Sequence, residues 1–328
     1  MSEDATARRP ATEAARPTAR EETPIAPEIP PIVFVGGTGR SGTHVVAALL
    51  SRHVKLRLIP VECRFHVEER GFPGLLAGTV SKRAFMRRMR GFWWRGFQTN
   101  RLRGLHRFVP RERFDSALAS FDQRFDDDPE GACRALFYDL LWFRAEQRRA
   151  AIGIVEQSCD VVAEAPTLVR LFGEAKFIHV VRDGRDASAS RVAQLRWLTY
   201  PRTREQGLEW WESRIRAIDA GARVIPEGRL LEVSLEDLLS GNVRGALRPV
   251  AAYLGLHMGD EMRRYFHDQM SHELANTGRW RQGISEEKRR LIARRYEEIL
   301  DRFEADGVTC APLLRASWER SRAEGGDG

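Results

Sequence analysis

The stretch PPIVFVGGTGRSGTHVVAALL, residues 30–50, sets the architecture of this chain. Ile32-Val33-Phe34-Val35 is a short unbroken apolar run, the pattern of a parallel strand buried on both faces. A glycine-rich turn follows, and Val45, Val46, Leu49 and Leu50 then recur at helical spacing. Strand, glycine turn and helix in this order make a phosphate-binding loop, because turn amides and the helix N-terminus together attract an anion. The Gly37 to Gly42 spacing is that of a nucleoside-triphosphatase loop. Its Lys-Ser/Thr ending, however, is replaced by Thr43-His44, and Arg40 stands inside the turn. A triphosphatase needs that lysine on the β- and γ-phosphates and the hydroxyl on Mg²⁺. The implied ligand therefore has no γ-phosphate and no need of magnesium.

The rest of the chain continues the alternation of strand and helix. Lys55–Pro60 reads as a second strand, and the apolar run Val161–Glu164 as the next one, ahead of a helix through 167–172. Lys176–Val181 is a buried strand, a helix covers 205–222, a strand follows at 229–233, and helices occupy 244–254 and 285–304. This order predicts an α/β fold, a P-loop nucleotide-kinase-like three-layer sandwich with a mostly parallel central sheet. Residues 71–150 break the rhythm and read as a mainly helical insertion. Within it, 81–114 holds eleven Lys/Arg and one Glu, interleaved with aromatics that include Trp93, Trp94 and Phe97. One domain, 30–318, is expected, with a flexible tail at 1–29, too poor in apolar residues to fold, and a flexible end at 319–328.

Composition narrows the class. The chain has 328 residues, 42% hydrophobic and 30% charged, which suits a globular protein with one large core or two modest ones. No apolar run reaches the ~20 residues of a membrane span, and the N-terminus has no apolar signal core. Four scattered cysteines without metal spacing suit a reduced, cytoplasmic protein. A net charge of +7 points to acidic partners without choosing among them.

A second basic motif lies at the end of the 176–181 strand, in VVRDGRDASAS, where Arg182 precedes Ser190 by eight residues. Ligands of open α/β sheets bind beyond the carboxyl ends of the strands, which brings this motif and the glycine loop to one side. An arginine fork with a serine hydroxyl suits a second, separate phosphate. Arg182 and Asp186 could instead pair with each other and cap the helix.

Together these motifs resemble the sulfotransferases that use 3′-phosphoadenosine 5′-phosphosulfate (PAPS), and most closely a bacterial branch similar to tyrosylprotein sulfotransferases. GTGRSGTH resembles their 5′-phosphosulfate loop and VVRDGRDASAS their 3′-phosphate motif. The resemblance covers roughly 31–300. It implies a metal-independent, in-line sulfuryl transfer that leaves 3′-phosphoadenosine 5′-phosphate (PAP). Gly39, Arg40, Ser41, Gly42, Thr43 and His44 would surround the 5′-phosphosulfate, and Arg182 and Ser190 would hold the 3′-phosphate. NTGRWRQGIS resembles the late cofactor loop, making Arg279, Trp280 and Arg281 candidates for the 3′-phosphate or adenine; GRW could equally anchor a helix start.

Arg40 is the candidate for steadying the leaving phosphate. Glu62, in IPVECRFHV, resembles the catalytic glutamate of an EETR-like stretch. As a carboxylate beside basic groups it would stay ionised and act by position, or else simply pair with Arg64. His66 and His44 are rival bases. Three positions depart from the family pattern: Gln157 where a lysine is usual, Leu235 at the tyrosine of a YEDL-like stretch, and Gln194 in place of an arginine.

The implied acceptor is a hydroxyl, less favourably an amine, of a small molecule, glycan or glycolipid. The aromatics of 82–113 would wall its site, and peripheral membrane contact is compatible with their charge. No specific nucleic-acid partner is expected. The alternatives are a P-loop kinase of a small metabolite, which would bind Mg²⁺-ATP, and a protein binding anionic polymers or membranes through the basic insertion.

Overall fold

The computed structural model describes residues 32–96, 104–147, 149–194, 200–239 and 243–325. Five strands form one wholly parallel sheet in the order β2-β3-β1-β4-β5. They are β1 (Ile32–Gly36), β2 (Leu56–Leu58), β3 (Gly153–Glu156), β4 (Lys176–Val181) and β5 (Leu230–Ser234). β1 lies at the centre and all five of its residues are buried, which explains its unbroken apolar sequence. Its side chains nevertheless alternate. Ile32 and Phe34 join one core with Ile154 and Phe177, whereas Val33 and Val35 join the other with Val155, Ile178 and Val180.

The principal helices are α1 (Thr43–Leu50), α2 (Arg111–Arg124), α3 (Pro129–Leu141), α4 (Ala165–Leu171), α5 (Gly184–Gln194), α6 (Arg204–Ala222), α7 (Asp260–Gln269), α8 (Glu286–Ala305) and α9 (Ala311–Gly325). α2, α3 and α4 pack on the Ile32/Phe34 side and α1 and α7 on the opposite side, giving the three layers that the strand–helix alternation predicts. A third cluster around Trp211, Trp280, Tyr296 and Trp318 joins α6, α8 and α9 to the start of α5.

Two expectations are corrected. The third strand is Gly153–Glu156; Val161 belongs to a 3₁₀ turn, Cys159–Val161, that is followed by α4. Val161 and Val162 are fully buried beneath Gly36, so their apolarity reports burial and not a strand. The C-terminal helix also continues past 318, to Gly325. It is held there by ion pairs of Arg320 with Asp237 and Arg322 with Glu297 (3.3 Å), where a flexible end is expected.

In the described part of 71–150, Trp93 is buried against Phe65 and Phe85, and Trp94 lies 4.3 Å from the Phe114 ring. These contacts pack both tryptophans against neighbouring aromatic rings. Phe97 lies outside the described residues.

Candidate active site

The parallel sheet sends every strand's carboxyl end to the same edge. There the loop after β1 meets Glu62 after β2, Gln157 and Cys159 after β3, and Arg182 after β4. Gly37 admits no side chain, since a Cβ would lie 2.2 Å from Ser41 Oγ and 2.8 Å from the Val180 carbonyl. Arg40 takes a left-handed backbone, φ 64°, which costs a non-glycine residue energy. Arg182 offsets that cost by donating to the Arg40 carbonyl at 2.8 Å, and Arg40 Nε donates to Ser190 Oγ at 3.0 Å. The two sequence motifs, some 150 residues apart, are thus joined directly.

A cavity of about 410 Å³ opens over this junction. Arg40, Gly42, Thr43, His44, Glu62, Arg182, Ser190 and Arg279 all line it, so most of the candidate residues come together. Burial, then the charge of Arg182, lowers the Arg40 pKa, and Arg279 adds to the effect. Three guanidiniums crowded together, with Ser41 Oγ and Arg182 Nε buried and unpartnered, make a donor set suited to oxyanions. Leu235, Leu239 and Leu274 add an apolar wall. The leucine at the usual tyrosine position therefore still faces this cavity.

Arg182 and Asp186 do not pair, as one reading of the sequence allowed. Instead they grip the two ends of one segment. Arg182 donates to the carbonyls of Ala275 (2.6 Å) and Asn276 (3.4 Å). Asp186, itself buried, accepts from the amides of Gly278 (2.8 Å) and Trp280 (3.0 Å). Arg279 lies between those two amides and reaches the cavity. Its neighbours do not: Trp280 is 1% exposed, with the Arg185 guanidinium 4.4 Å over its ring, and Arg281 lines a second cavity with Asp183 and Glu236. Asp186 and Arg185 were missed as site-building residues, because only the fold brings the 278–280 segment to α5.

Glu62 Oε2 is 3.5 Å from Arg64, which also binds Glu68 (2.9 Å) and Asp160 (3.4 Å). One guanidinium shared by three carboxylates leaves Glu62 weakly compensated. Burial raises its pKa against the pull of Arg64, and Glu156 and Asp160 raise it further. The expectation that nearby basic groups govern this carboxyl is therefore reversed: desolvation wins.

Cys159, 3.8 Å from Glu62, is pushed up to about 12 by burial and so remains a thiol. His44 Nδ1 is 2.9 Å from Gln157 Oε1, an acceptor, so Nδ1 donates this hydrogen bond and Nε2 is the other ring nitrogen. Gln157, at the usual lysine position, thus accepts this bond and supplies no charge. His66 lies in the core, its Nε2 3.1 Å from the buried Glu156, and it does not line the cavity.

Comparison with known proteins places this geometry. A model described as the sulfotransferase family matches residues 31–260. The ω-hydroxy-β-dihydromenaquinone-9 sulfotransferases Stf3 of Mycobacterium bovis and Mycobacterium tuberculosis are 28% identical over 160 residues. That match covers 44% of this chain and 39% of the relatives' length. Among solved structures, the sulfotransferase domain of the curacin biosynthetic pathway is 18% identical with a TM-score of 0.49, over 76% of this chain and 82% of that one. A sulfotransferase from Alicyclobacillus acidocaldarius is 15% identical with a TM-score of 0.43, over 89% of this chain and the whole of that one.

Proposed function

The chain belongs to the sulfotransferase family, and we propose that it moves the sulfuryl group of PAPS to a hydroxyl of a small-molecule, glycan or glycolipid acceptor. The observation that carries this reading is the single cavity uniting Arg40, Ser190, Arg182 and Glu62. When bound, PAPS supplies the sulfuryl group and a phosphate leaving group. The amides of the 37–42 turn, with Thr43 and His44, receive its 5′ end. Arg182, Ser190 and Arg279 hold the 3′-phosphate, and Leu235, Leu239 and Leu274 cover the adenine.

Glu62 accepts the proton of the acceptor hydroxyl as the new S–O bond forms and the sulfur–oxygen bond to phosphate breaks. Its raised pKa makes it a stronger base than an exposed carboxylate. Arg40 neutralises the charge that builds on the departing phosphate, the main electrostatic task in such a transfer. The hydroxyl acceptor named for the Mycobacterium relatives supports a hydroxyl here.

Calorimetry with PAP and no added metal tests this. The wild type should bind, and Arg182→Ala should bind about a hundredfold more weakly, having lost charged hydrogen bonds of ~1.5–3 kcal/mol each. Wild-type protein that does not take up PAP would end the sulfotransferase reading of this cavity.

A further inference from the structure

A second concavity begins where the first one stops. A groove of about 910 Å³ runs along the outer side of α1, past His44, Ala48, Ser51 and Arg52. His44 and Ala48 share one face of the helix, and Ser51 and Arg52 follow directly after its end. Arg57, Leu58, Pro60 and Arg144 form the opposite wall, and α7 closes the third side with Tyr265 and Arg264 among others. His44 and Gln269 border both this groove and the cavity with Arg40, and Pro60 lies two residues before Glu62. A molecule lying in the groove therefore points one end at the proposed base and sulfuryl donor.

The far end of the groove is cationic. Arg52, Arg57, Arg144 and Arg264 line it against two carboxylates, Glu261 and Asp268. Arg52 lies over the Tyr265 ring at 4.7 Å. Arg57 Nε donates to the Arg144 carbonyl at 3.4 Å and Arg144 donates to the neutral Gln147 at 2.9 Å, and among the described residues no carboxylate pairs with either cation. Arg144 Nε is buried and has no hydrogen-bond partner among the described residues. Burial and the charge of Arg57 both lower the Arg144 pKa, the mark of an unrelieved like-charge contact. Arginines elsewhere on the protein, such as Arg216, Arg302 and Arg315, sit on carboxylates. An oxyanion between Arg57 and Arg144 would turn the repulsion into charge-assisted, forked hydrogen bonds. Ala48, Leu58, Pro60 and the Tyr265 ring supply apolar contact between that point and His44.

We propose that this groove is the acceptor subsite of the transfer reaction, and that it selects acceptors with an oxyanion, phosphate or carboxylate, at the end remote from the reacting hydroxyl. This rests on the sulfotransferase reading above. His44 and Arg52, both bordering the groove, are eight residue steps apart, about 12 Å at the helical rise, which gives the scale of the groove's length.

The test uses the full chain saturated with PAP, with PAP binding measured first. Failure at that first step counts against the sulfotransferase reading, not against the groove. The loaded protein is then titrated with 10-hydroxydecyl phosphate, 10-hydroxydecanoate and 1,10-decanediol. At least one of the two anions should bind ten times more tightly than the diol, and the better one shows whether phosphate or carboxylate is preferred. Arg57→Ala/Arg144→Ala should lose tenfold or more of the anion affinity while leaving PAP and diol binding within twofold. Arg57→Gln, which keeps a donor for the Arg144 carbonyl, should show the same loss in part if the double variant does not fold. The proposal fails if the wild type binds none of the three, binds anions and diol alike, or keeps its anion affinity when Arg57 is changed.

Discussion

Asp186→Asn tests whether the 275–280 segment is held as the structure shows. Asp186 accepts two backbone hydrogen bonds at 2.8 and 3.0 Å, one on either side of Arg279. Asparagine keeps one acceptor oxygen and turns an NH₂ toward the other amide, so one charged hydrogen bond of ~1.5–3 kcal/mol is lost. Arg279 is then no longer fixed at the cavity, and PAP affinity should fall by about ten- to a hundredfold. Overall stability should fall less. Burial and the neighbouring Asp183 carboxylate push the Asp186 pKa up, so ionised Asp186 already carries a cost that asparagine removes. Calorimetry with PAP beside a thermal melt separates the two effects. Asp186→Asn binding PAP within twofold of wild type would refute the argument, as would a collapse in melting temperature with unchanged affinity.

Glu62 acts as a base only when ionised, and burial raises its pKa from that of an exposed carboxylate. The acid limb of kcat/KM should therefore rise through that higher value, and Glu62→Gln should cut turnover about a hundredfold with PAP affinity intact; full activity in the variant would remove Glu62 from the mechanism. Arg185 is buried against Asp183 (2.6 Å) and under Trp280 and Trp318, so Arg185→Ala strands a buried carboxylate and should cost about 3–5 kcal/mol in urea unfolding. Lysine should not restore it, because it lacks the planar fork; an unchanged midpoint in either variant contradicts the packing. Glu236 is pushed up to about 7 by burial and then by Asp183, so the folded protein holds a proton that the unfolded chain releases near 4.5. Its stabilising contribution is complete below the unfolded value and is lost as pH rises through about 7. Glu236→Gln should gain melting temperature relative to wild type on going from about pH 6 to pH 8, and parallel curves would refute the assignment.

Some elements of the site are local, and these were legible. The loop after β1 is a run of short-range backbone constraints, with Gly37 excluded from carrying a side chain and Gly42 at φ 91°. Such constraints reveal themselves in residue type at fixed spacing. Lys176–Val181 was equally plain, because a strand flanked on both sides is mostly apolar, and four of its six residues are. β3 was not. Its only two apolar side chains, Ile154 and Val155, give a weaker signal than the buried turn that follows it.

What the sequence by itself determined was the family, the α/β plan and the residue types of the two loops proposed to meet the phosphates, because each lies within one strand–turn–helix unit. The tertiary structure decided who answers whom: Arg182 and Asp186 gripping one segment and not each other, Trp280 withdrawn into the core, His44 on Gln157, and Glu62 sharing Arg64 with two other carboxylates. These partners come from strands and loops far apart in sequence, and the sheet order alone makes them neighbours. Protonation follows the same rule, since it depends on how much water and which charges the packed chain leaves around each group.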